Sequence, residues 1–136
     1  MDDQLLRNAL SMSAGMLAIV CLITIGVLRR PIGPHAWMLP VTALIPFSAL
    51  TLLAVWNEGP LGFWPEHVRS LWGMQIWIDL LLAVIAAVAL LAPRALALGM
   101  RPLPWAILVL CSGSIGLYCF LARMLYLEGR MLQEDP

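Results

Sequence analysis

Four stretches of the chain are almost free of charge. Positions 8–28 and 102–122 carry no formal charge, 31–57 can ionise only at His35, and 70–93 only at Asp79. Each holds the roughly 20 residues that take a helix through a ~30 Å hydrocarbon core at ~1.5 Å per residue. They are far longer than barrel strands, and an unpaired backbone group in lipid costs several kcal/mol, so helices are the economical spanning form. The pattern predicts an all-α integral membrane protein, one transmembrane domain over 1–136, with helices at about 8–28, 36–56, 70–92 and 103–126.

The connections sharpen this into a topology. RRPIGPH after the first helix and PRALALGMRP after the third are short, so each joins an antiparallel hairpin and two hairpins make a four-transmembrane-helix bundle. The middle connection, 57–69, is different: Gly59, Pro60, Gly62 and Pro65 interrupt regular structure. An ordered interfacial loop is expected there. Trp37, Trp56, Trp64, Trp72 and Trp105 fall near predicted helix ends, where amphipathic rings suit the headgroup zone.

Composition agrees with the pattern and removes other classes. With 62% hydrophobic and 12% charged residues and a mean hydropathy of +0.90, the chain has too little polar surface to coat an aqueous globule. Its formal charge is zero, which offers no basic field for nucleic acid. The implied partner is membrane lipid. The opening MDDQLLRN places two acids ahead of a long apolar run, unlike a cleavable signal, so the first helix is expected to stay in the mature protein. Cys21, Cys111 and Cys119 have neither metal-site spacing nor a disulfide count and read as small buried hydrophobes. No catalytic or metal motif stands out, and no cofactor is specified.

Orientation follows from arginine near helix ends. Arg29, Arg30, Arg94 and Arg101 occupy the two compact, acid-free hairpins; Arg7, Arg69, Arg123 and Arg130 are mixed with Asp2, Asp3, Glu58, Glu66, Glu128, Glu134 and Asp135. Compact basic hairpins resist translocation. The expectation is a multi-pass protein of the bacterial inner (cytoplasmic) membrane, hairpins cytoplasmic and both termini on the non-cytoplasmic side.

Asp79 is the first candidate for chemistry, because a carboxylate at the centre of a membrane helix costs ~2.5–3.5 kcal/mol unless paired or wetted. On a helical wheel Trp72, Gln75, Asp79, Ala83 and Ala86 share a face. Ser112, Gly116, Cys119 and Arg123 make a similar stripe on the last helix. An antiparallel hairpin leaves Asp79 and Arg123 mismatched by roughly 9 Å along the axis, a gap that an arginine stem mostly closes. The expected arrangement is a buried polar pair, Asp79 with Arg123, and Gln75 as a further hydrogen-bonding group. Its plainest role is a clasp fixing helix register; a proton, ion or ligand role is the sharper one.

Glu58, Glu66, His67 and Arg69 are candidate outer-loop ligand or contact residues, since a histidine between carboxylates can bind a metal, act as acid or base, or ligate a tetrapyrrole. Ordinary solvated surface is the commoner meaning, for these residues and for His35. Pro40 and Pro46 are expected to bend the second helix, and a bent helix can line a cavity. Ser11 with Gly15, Ala83 with Ala87, and Ser112 with Gly116 are small residues four apart, a signature of close helix packing.

The run GPLGFWPEHVRSLWGMQIWIDLLLA at 59–83, then Arg94, Gly99, Pro104 with Trp105, and GSIGL at 113–117, resembles a group of small bacterial four-helix inner-membrane proteins of unknown function. These have a Gly-rich outer loop, an Asp opening a membrane helix, and a Trp followed by a Gly-Ser step in the last one. The resemblance covers roughly 57–128. It implies a fold and a location, with Asp79, Trp105, Gly113 and Ser114 as family positions, and no activity.

Three function classes remain. The first is an accessory or structural subunit packing against a larger membrane protein complex, or against copies of itself. The second is a small enzyme or carrier holding a lipophilic molecule, such as an isoprenoid, quinone or carotenoid, near Asp79. The third is a pigment- or haem-binding protein using His67.

Overall fold

The computed structural model describes residues 3–27 and 33–134. Arg29, Arg30, Asp2 and Asp135, used above for orientation, lie outside them. The chain divides into two compact units, Met1–Ile32 and Gly33–Pro136. All regular structure among the described residues is helical.

The described part of the first unit is one helix, α1 (Asp3–Val27). The second holds α2 (Met38–Glu58), α3 (Phe63–Val68), α4 (Leu71–Ala97), α5 (Pro102–Ser112) and α6 (Ser114–Glu134). Helices α1, α2 and α4 are long and apolar enough to cross a membrane. The membrane character expected from the sequence therefore stands, with three such helices.

The fourth predicted crossing, 103–126, is not one helix. It breaks at Gly113, whose φ of 59° and ψ of −127° belong to a region that glycine enters without the Cβ clash. Trp105 of α5 stacks on Phe120 of α6 with ring centroids 5.5 Å apart; in a continuous helix their positions would be about 22 Å apart. The chain thus reverses at Gly113, and α5 and α6 form a tight helical hairpin. Gly116 makes the close approach possible, since a Cβ there would come within 2.8 Å of the Leu108 backbone. At 11 residues, α5 is about 16 Å long, half of a ~30 Å core.

The end of α4 explains how α5 is launched. Gly99 has φ +72°, the Met100 amide donates to the Ala95 carbonyl at 2.9 Å, and the Gly99 amide donates to that of Leu96 at 3.0 Å. This is a Schellman cap with glycine at its left-handed position. Its hydrophobic pair, Met100 and Ala95, is buried. Pro102 then opens α5 at a position where no backbone donor is needed.

Helix α6 is the centre of the second unit. Phe120, Met124, Ala95 and Met100 form its core, with Leu91, Leu98, Trp105, Leu121 and Leu127 packed around them. Helix α2 runs antiparallel to α6: in the turn that leads into α2, Trp37 meets Tyr126 edge to face at 6.1 Å, and three residues earlier in that turn and three later along α6, Gly129 lies against the Pro34 carbonyl with no room for a Cβ. Pro40 is buried and Val41, Leu44, Ser48 and Thr51 are half-buried, one stripe at helical spacing. Among the described residues α2 and α4 both touch α6 and do not touch each other.

Two expectations about α2 and the cysteines change. Pro40 lies in the first turn, where the backbone amide has no intrahelical partner to lose, so only Pro46 is interior. The Cys21 and Cys111 side chains are exposed and Cys119 is half-buried; they are small side chains on open helix faces, not core.

The arrangement also corrects the predicted position of the chain's end. Glu128 meets Arg94 and Gly129 meets Pro34, so the far part of α6 lies at the same end of the unit as the Arg94–Arg101 loop. A continuous fourth crossing would have put it at the other.

Candidate functional site

Helix α4 has two different faces. Val84, Val88, Leu91 and Ala95 are buried or half-buried toward the α5–α6 hairpin, whereas Trp72, Gln75, Asp79, Ala83 and Ala86 are all exposed. By helical spacing these five residues share a face of α4. The expected pairing aimed that face at the last helix, and the structure turns it outward. Among the described residues no ion pair or hydrogen bond joins Asp79 to Arg123, and Asp79 and Gln75 have no hydrogen-bond partner within the unit. The matching stripe does not survive either, because Gly113 interrupts it: Ser112 donates to the Leu108 carbonyl at 2.7 Å and Gly116 packs on α5.

The charged contact between α4 and α6 lies instead about one turn from the end of α4 and nearly two turns from the end of α6. Arg94 Nη2 donates to Glu128 Oε1 at 2.8 Å and to Oε2 at 2.9 Å, while Nε donates to Oε1 at 3.2 Å. The side chains are 47% and 21% exposed, and the fork geometry fixes the two helices in register. Arg123 is exposed with its guanidinium 5.7 Å from the Tyr126 ring centroid. Neither Arg94 nor Glu128 was paired from the sequence. The usable signal was the acid-free arginine at the end of α4 facing a carboxylate on a folded-back α6, and that requires knowing the break at Gly113.

The loop 57–69 is ordered around a short helix. Phe63 stacks with Trp77 at 5.7 Å, His67 meets Trp77 edge to face at 4.7 Å and Phe63 at 5.8 Å. His67 Nδ1 lies 2.6 Å from the Phe63 carbonyl, a contact in which the ring nitrogen donates. Gly73 lets α3 lie on α4, for a Cβ there would run into the Glu66 carbonyl; Ser70 caps α4 by accepting from the Gly73 amide at 3.1 Å. His67 therefore faces aromatic rings, not carboxylates. Glu66 pairs with Arg69 at 3.5 Å in the open, and Glu58 is exposed at the end of α2. No three His, Cys, Asp or Glu side chains converge among the described residues.

The other predicted positions divide by end. Trp37 and Trp105 are half-buried in contacts with α6, while Trp56, Trp64 and Trp72 are exposed around the 58–72 end, where a headgroup belt would sit. Trp77 was overlooked because it reads as one more apolar residue of a span. Ser11, Gly15 and Ala83 are exposed and Ala87 is half-buried. Two shallow hollows flank α6 at the Arg94 end. One, about 270 Å³, is lined by His35, Trp37, Tyr126, Arg130 and Gln133 among others; the other, about 230 Å³, by Leu98, Leu127, Arg130 and Met131.

The chain matches no protein-family model, no curated protein and no solved structure. The resemblance drawn above thus rests on its quoted residues alone.

Proposed function

We propose that this chain is an accessory subunit that packs against a larger membrane protein assembly. One observation carries the reading: among the described residues, Gln75 and Asp79 stand on the outward face of a membrane-length helix without a partner in their own unit. Polar groups in a span normally turn toward protein or water. A surface that does so only when something else covers it is an interaction surface.

The proposal includes a topology. The end of the second unit that carries Arg94, Arg101, Arg123 and Arg130 faces the cytoplasm, opposite the end with Arg69, by the excess of arginine. The α5–α6 hairpin enters from that side, reverses at Gly113 about halfway and returns, so the far end of α6 is cytoplasmic. With α2 and α4 as crossings of a bacterial inner membrane, α2 runs outward and α4 returns inward. A reporter fused after α6 should be active in the cytoplasm; activity only on the outer side overturns this topology.

The carrier reading needs a chamber near Asp79. The two hollows described above, about 270 and 230 Å³, fall below the ~300–1,000 Å³ range of ligand pockets and lie at the other end, which favours the subunit reading. Purification in mild detergent, followed by mass spectrometry of proteins and small molecules, tests the choice. Co-purification of other polypeptides in fixed ratio is expected; a lone 15.0 kDa chain carrying a lipophilic molecule overturns it.

A further inference from the structure

We infer that the outward face of α4 docks a membrane-spanning helix of a different protein, and that this helix presents an arginine or lysine to Asp79. The inference rests on the subunit reading above and names the chemistry of the partner.

Depth comes first. With Arg94 at the polar boundary, Asp79 lies 15 residues back along α4, about 22 Å across a ~30 Å core, hence about 8 Å beneath the opposite surface. Its short side chain leans toward the amino terminus of the helix and still ends within the apolar zone. An ionised carboxylate only accepts hydrogen bonds, so the group that best satisfies it there is a cationic donor. Gln75, one turn nearer the surface and likewise exposed, supplies an amide that both donates and accepts.

Shape agrees with charge. Below Asp79 the face continues through Ala83 and Ala86, whose small side chains let a second backbone approach, and above it Trp72 is 76% exposed and free to cover the rim of a partner. The face is not built for a second copy of this chain. A two-fold contact there would set two Asp79 carboxylates side by side, and like charges at short range repel.

The experiment places a photo-crosslinking amino acid at Ile78, next to Asp79 in sequence, in the full chain expressed in its own membrane. The expected adduct is with another protein at a peptide inside an apolar span holding Arg or Lys. Asp79→Leu should lower its yield more than about tenfold, and Asp79→Arg combined with an acidic replacement of the partner's basic residue should restore it. An adduct with a span lacking a basic residue, an adduct between two copies, crosslinks only to lipid or within the chain, or an adduct that Asp79→Leu leaves unchanged each overturns the inference. Native electrophoresis of the same membranes separates the two levels. A chain that migrates alone defeats the subunit reading itself, whereas an assembly that persists in Asp79→Leu defeats only the role of this face.

Discussion

The two ends of the second unit are built on opposite terms. At the Arg94 end, Phe120, Met124, Ala95 and Met100 close a core, a forked ion pair joins α4 to α6, and the start of α2 is pinned to Tyr126 and Gly129. At the Asp79 end, α2 and α4 stand apart, and α4 is steadied by the packing of Phe63 and His67 of α3 on its Trp77. One end holds the unit together through its own contacts; the other leaves polar and apolar surface of α4 exposed in the unit. The difference teaches that exposure of apolar residues says little in a membrane protein, where lipid covers them, whereas an exposed carboxylate in a span says a great deal.

Substitutions can break that contrast. Phe120→Ala should be the most damaging, at about 3–5 kcal/mol from lost contacts and the cavity left behind, while Leu80→Ala at the open end should stay within ~0.5 kcal/mol; unfolding of the purified chain in mixed detergent measures both. Gly113→Ala forces a Cβ into a backbone region it does not fit, at about 1–3 kcal/mol, and should separate Trp105 from Phe120, visible in near-ultraviolet circular dichroism. Glu128→Gln weakens the charge-assisted bonds and should cost on the order of 1–2 kcal/mol. A double-mutant cycle with Arg94→Gln should show coupling there and none between Asp79 and Arg123.

The remaining two probe the open end. Trp77→Leu should cost about 0.5–1.5 kcal/mol and make the 59–70 segment the first site of limited proteolysis. Asp79→Leu should leave the stability of the isolated chain within ~0.5 kcal/mol, since no ion pair or hydrogen bond within the unit is lost. A large destabilisation by Asp79→Leu would mean that the carboxylate is held inside the chain, contrary to the contrast drawn here.

Hydropathy made three membrane-length helices legible, because length and apolarity are local properties of a sequence. The break at Gly113 was not, since GSIGL reads equally as small residues packing in a continuous helix and as a reversal; only the stacking of Trp105 on Phe120 decides between them. That single error propagated. A straight last helix aims Arg123 at Asp79, whereas a folded one carries Glu128 to Arg94 and moves the far end of α6 to the arginine-rich side. Membership of Asp79 in a face with Gln75 and Ala83 was readable from helical spacing, but the direction of that face depends on where α6 lies. The aromatic cluster was half visible, in that the loop 57–69 was expected to be ordered, yet the ring that orders it, Trp77, gave no local sign.

The place of α6 between α2 and α4 has a consequence for how the molecule assembles. Trp37 and Tyr126, which meet in the finished structure, are separated by about ninety positions, and among the described residues α2 packs on α6 alone. In a two-stage pathway, independently inserted helices associate afterwards. Here α2 and α4 would diffuse as unjoined rods, tethered only through α3, until the hairpin beyond Gly113 arrives and gives both a common surface. The α2 contact therefore waits for α6, which follows both α2 and α4 in the order of the chain.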